Sequence, residues 1–104
     1  MGYIEIADVT LQMIIDAGII LPGTSVYNSV DENIVGVLNE DGSITLDING
    51  QLKNFPYPSG AARAIVNLSV NGWIFWKIKE NNLFNTLKHY KDLYLKLNPL
   101  KNKI

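Results

Sequence analysis

Ile44, Leu46 and Ile48 alternate with Thr45 and Asp47, and a period of two residues buries one face of a β-strand. Turn chemistry brackets this run on both sides. Glu40-Asp41-Gly42-Ser43 predicts a hairpin with the β-rich segment 33–39, and Asn49-Gly50 predicts a return through residues 51–55 as a further strand. Upstream, Thr10 stands before Leu11, Ile14 and Ile15 as an N-cap ahead of an apolar stripe at helical spacing. Gly18 after Ala17 supplies the stop. Leu21-Pro22-Gly23-Thr24 reads as a turn, with glycine where positive φ is needed, and Pro56 and Pro58 end the meander.

In the second half, Ser59 reads as the N-cap of a short helix of small residues that ends near Asn67. Asn71-Gly72 then reads as a tight turn and residues 73–79 as a strand. In that strand Ile74, Trp76 and Ile78 point to the core, whereas Trp73, Phe75, Lys77 and Lys79 point away. From 83 to 97, Leu83, Leu87, Tyr90, Tyr94 and Leu97 form the apolar seam of an amphipathic helix, which Asn98-Pro99 stops. The expected fold class is α+β, with a small antiparallel sheet of about four strands covered by two or three helices. The expected organisation is a single domain over 1–97 followed by a tail at 98–104.

Composition narrows the setting. The chain of 104 residues fits one ordinary core, and the absence of cysteine excludes disulfides, thiolate metal sites and a cysteine nucleophile. No apolar run approaches the ~18 residues of a membrane span, so a soluble, cytoplasmic protein is expected. Charge is divided along the chain. Residues 1–52 carry eight carboxylates and no lysine or arginine, whereas residues 53–104 carry nine cations against Glu80 and Asp92. Two readings are open: the halves pair internally, or they form an acidic and a basic face, the latter able to meet a polyanion.

The aromatic and cationic face of 73–79 is the mixture that base stacking and phosphate attraction use, but an apolar helix seam could equally cover its rings. Ser59 and Gly60 at a helix start, with Arg63 one turn on, either cap the helix or receive an anion. Lys88, Lys91 and Lys96 read as a solvated helix face, with Asp92 in reach of Lys88 and Lys96. His89 is the single histidine, and no local spacing pairs it with a serine or carboxylate. No enzyme activity, metal or cofactor is expected.

The runs TLQMIIDAGIILPGTSVY, GVLNEDGSITLDINGQ, PSGAARAI and SVNGWIFWKI occur in this order over roughly residues 8–80. Together they resemble the RAMA domain, the restriction-enzyme and adenine-methylase associated module. Its characteristic positions fall here on Pro58, Ser59, Gly60, Ala61, Ala62, Ser69, Asn71, Gly72, Trp73, Phe75 and Trp76. The resemblance implies a small α+β module that binds DNA, senses modified (methylated) bases and works beside a catalytic domain or partner protein. The expected nucleic-acid-binding residues are Ser59, Gly60, Arg63, Asn71, Trp73, Phe75, Lys77 and Lys79. The acidic first half implies modest, strongly salt-dependent affinity. The competing reading is a protein-interaction or oligomerisation module that uses the C-terminal amphipathic helix.

Overall fold

The computed structural model describes residues 9–97, so the expected tail at 98–104 lies outside the described residues. Helix α1 (Leu11–Asp16) begins where expected. Thr10 Oγ1 accepts from the Met13 amide at 3.2 Å, and the Thr10 amide donates to Met13 Sδ at 3.4 Å. This reciprocal cap satisfies donors that a helix start otherwise leaves open. Gly18 ends the helix at φ +79°.

Strands β1 (Ser25–Val26), β2 (Gly36–Leu38), β3 (Ile44–Ile48) and β4 (Gln51–Phe55) form an antiparallel sheet in that order. The register places Leu38 opposite Ile44 and Ile44 opposite Phe55. Leu38, Ile44 and Leu46 are fully buried on the inner face. On the outer face Asn39 Nδ2 donates to Thr45 Oγ1 at 2.8 Å and to Asn54 Oδ1 at 3.3 Å. The Asn49-Gly50 turn has both residues at positive φ, which matches the right-handed twist of the strands it joins.

Helix α2 (Pro58–Val66) packs on the sheet and on the single-turn helix α3 (Gly72–Phe75). Hairpin β5 (Lys77–Glu80) and β6 (Leu83–Thr86) leads into α4 (Leu87–Leu97). Tyr27 and Lys77 exchange two backbone hydrogen bonds of 2.8 Å, which tie the hairpin to the end of the main sheet.

Three elements differ from the sequence expectation. The first is the strand over 73–79, of which only Lys77–Glu80 is extended. Asn71 caps a helical turn instead: its Oδ1 accepts from the Trp73 amide at 2.9 Å, and its carbonyl accepts from the Phe75 amide at 3.0 Å. The extra turn shifts the phase of the side chains. Ile74 becomes half-exposed and Trp73 and Phe75 half-buried, while Trp76 and Ile78 remain core residues.

The second difference is the helix over 83–97, which starts at Leu87. Asn81 and Asn82, at φ +51° and +67°, make a two-residue hairpin turn, and Leu83 and Phe84 lie exposed on β6. The third is the α2 cap. Tyr57 occupies it and Pro58 takes the first helical position, where the missing N–H is harmless and the fixed φ is already helical. Ser59 therefore sits inside the first turn and makes no capping bond.

The small-residue helix and the heavy aromatics explain each other. Trp76 is fully buried, its Nε1–H donates to the Pro58 carbonyl at 3.0 Å, and Ala61 belongs to the same core cluster. Methyl side chains on α2 leave volume for the indole, and truncating such a ring costs about 3–5 kcal/mol. Leu87, Tyr90 and Tyr94 complete the core from α4. The middle of that helix's seam is thus covered within the domain itself.

Candidate functional site

Two close approaches shape a cleft on one side of the molecule. At Gly42, φ is +87° and a Cβ would stand 2.6 Å from the Gln12 amide nitrogen, so this glycine lets the β2–β3 turn rest on the start of α1. At Gly72 a Cβ would overlap the Pro58–Ser59 peptide, so only glycine lets α3 begin against the start of α2. Between these contacts lies a cleft of about 700 Å³, and its walls include Gln12, Asp41, Tyr57, Ser59, Asn71 and Trp73.

Among the described residues the lining joins apolar side chains such as Leu11 and Pro58 to polar and aromatic ones, carries no lysine, arginine or histidine, and has Asp41 as its one carboxylate. The Ser43 hydroxyl donates to Asp41 Oδ1 at 2.5 Å and the Ser43 amide to the same oxygen at 2.9 Å. These bonds, the hydroxyl's first, hold the carboxyl below its ordinary range and keep it ionised at neutral pH. Both bonds fall on Oδ1, so Ser43 leaves Oδ2 unengaged. Asn71 is fixed by its bond to the Trp73 amide, and its side-chain NH2 group has no partner among the described residues. Trp73 itself is half-buried, and Lys91 Nζ lies 5.0 Å from its ring centroid.

The expected site residues divide accordingly. Ser59, Asn71 and Trp73 come together in the cleft, whereas Gly60, Arg63, Phe75, Lys77 and Lys79 do not line it. Arg63 is exposed and its Nη2 donates to Ser69 Oγ at 2.9 Å. Phe75 turns its ring edge-on to Trp76, with centroids 5.0 Å apart. Lys77 borders a smaller cavity of about 280 Å³ with Tyr27, Glu32 and Phe84. Lys79 projects over the Phe84 ring, 5.8 Å from its centroid. The continuous ridge of Trp73, Phe75, Lys77 and Lys79 does not form, because the helical turn at 72–75 rotates the two rings away from the lysines.

Sequence reasoning missed Gln12, Asp41 and Tyr57, which reach the cleft from distant segments, and Lys91, which the helical pattern placed on a solvated face. Only the resemblance to known domains offered a signal here, since the cleft is walled by PSGAA and NGW segments. Residues 4–98 match the family described as RAMA, Restriction Enzyme Adenine Methylase Associated. No curated protein matches the chain. With nearly the whole chain matched, and with the expected α+β architecture in place, the chain belongs to the RAMA family.

Proposed function

We propose that this domain is a noncatalytic DNA-recognition module that reads modified bases and acts beside a catalytic partner of a restriction or modification system. The observation that carries the reading is the pairing of Trp73 with Lys91 at the edge of the cleft. The part of this half-buried indole that reaches the surface offers a stacking contact, and an ammonium group beside it attracts phosphate. The distribution of charge supports this reading, since every described lysine and arginine lies at or after Lys53. The family description, which names association with restriction enzymes and adenine methylases, supports an accessory role.

The test is an anisotropy titration of a labelled duplex at about 50 and about 200 mM salt, with Trp73→Ala and Lys91→Ala variants checked for folding by thermal melts. Trp73→Ala is expected to weaken binding roughly ten-fold or more. Lys91→Ala is expected to weaken it on all sequences and to lower the salt slope by about one. Folded variants that bind as well as the parent would overturn the assignment. Repeating the titration with adenine-methylated duplex reads the modification preference; equal affinity for both duplexes removes that part alone.

A further inference from the structure

We infer that the cleft between the starts of α1, α2 and α3 receives a single unstacked nucleobase carrying an exocyclic amino group, with Asp41 accepting from that amino group and Trp73 stacking on the ring. The inference rests on the DNA-recognition reading and specifies what enters the cleft.

Charge excludes the first alternative, a phosphate seated in the cleft. Among the described residues the lining holds no cation, and the ionised Asp41, whose two bonds from Ser43 fall on Oδ1, is part of it. An anion would meet repulsion there, so phosphates belong at the rim beside Lys91, on the far partner of Trp73. Shape excludes the second alternative, direct reading of a base pair within the stack. Groove reading needs a protruding element, whereas this surface is concave, and a concave site reaches a base only when the base leaves the duplex. The volume of about 700 Å³ lies within the range of small-ligand sites and leaves room for a base with its sugar.

The polar groups then set which bases fit. Asp41 Oδ2 can only accept, so its partner must be a donor such as the amino group of adenine, cytosine or guanine. Thymine has no exocyclic amino group, and its one ring donor, N3–H, is flanked by two carbonyl oxygens that would repel the carboxylate. The open NH2 group of Asn71 supplies a donor from the opposite segment for a ring nitrogen or carbonyl. Tyr57, two-thirds exposed at the mouth, is available as a second apolar wall.

The experiment uses short duplexes that carry one unpaired adenine, cytosine or thymine in an otherwise constant sequence. The wild-type protein is expected to prefer the adenine and cytosine bulges over the thymine bulge by roughly ten-fold. Asp41→Asn keeps an oxygen for Ser43 but removes the charge and one acceptor, and it is expected to erase the preference among the three bulges, read as the ratio of their affinities within the same variant. Should Asp41→Asn melt early, chemical-shift mapping of the wild-type protein with free cytidine and free thymidine replaces it. Shifts centred on Asp41, Asn71 and Trp73 with cytidine alone are expected. Equal binding of all three bulges, or an Asp41→Asn protein that keeps the preference, overturns the inference while DNA recognition stands. Absence of binding to any duplex overturns both.

Discussion

Gly72→Ala tests the geometry on which the cleft depends. A Cβ at this position would overlap the Pro58–Ser59 peptide, with the Pro58 oxygen at 2.6 Å, whereas ordinary contact starts near 3.4 Å. Relief requires α3 to move about 1 Å from the first turn of α2, because the obstacle is helical backbone and cannot rotate aside. Overpacking of this kind costs roughly 1–3 kcal/mol, and stretching the Trp76–Pro58 hydrogen bond adds about 1 kcal/mol. The gain in helix propensity at Gly72 offsets at most about 1 kcal/mol. The net loss of roughly 1–3 kcal/mol corresponds to a fall in Tm of roughly 4–24 °C for a domain of this size. Gly50→Ala is the control. Gly50 has φ +81° and open space around it, so only backbone strain of about 1 kcal/mol applies there. Thermal melts followed by circular dichroism separate the two effects. A Gly72→Ala protein that melts within about 4 °C of the parent, or above Gly50→Ala, would refute the claim that close backbone approach at this glycine builds the site.

Three further outcomes follow from other parts of the structure. Asn28 is buried and holds the loop after β1 through bonds to the Asp31 and Ile34 carbonyls and from the Val30 and Asp31 amides. Asn28→Ala is expected to cost about 2–4 kcal/mol in urea unfolding; a loss below about 1 kcal/mol contradicts that role. Tyr90 donates to Glu80 at 2.6 Å, and burial, then this bond, pushes its phenol up to about 12. The folded chain therefore holds the proton more tightly than the unfolded chain. That stabilisation is complete below the ordinary value of 10.0 and is lost as pH rises towards about 12. Tyrosinate absorbance should show a late phase there that Tyr90→Phe abolishes, and a phase unaltered by the substitution contradicts the assignment. Lys88 and Asp92 form a 2.9 Å pair with more than half of each side chain exposed, so Asp92→Ala is expected to shift stability by no more than about 0.5 kcal/mol.

Local signals made the main sheet readable. The alternation over 44–48 and the turns at 40–43 and 49–50 need no distant contact to specify a hairpin, and the structure has both. The dipeptide Asn-Gly shows where local signals stop. At 49–50 it takes two positive φ values and turns a hairpin, but at 71–72 Asn71 has φ −78° and caps a helix. The difference lies in the packing of Gly72 on α2, a contact between segments far apart in the chain. A similar ambiguity hid β6. Leu83 keeps helical phase with Leu87, so residues 83–86 read as the first turn of the helix that follows. Two-residue β1 is too short to produce any period. Within the site, Ser59, Asn71 and Trp73 were legible through the PSGAA and NGW segments. Asp41, Gln12 and Tyr57 were not, since they sit in an ordinary turn, a helix and a cap until the fold brings them together.

The two tryptophans allow the most direct test of the central claim. Trp76 is fully buried and Trp73 only half-buried at the cleft, so a change in indole emission during a DNA titration reports on Trp73 above a constant background. Duplex added at about 50 mM salt is expected to quench that emission and protect it from acrylamide, and both effects should recede at about 200 mM salt. Saturating DNA binding with no change in Trp73 emission or quencher access would contradict a recognition surface at this ring.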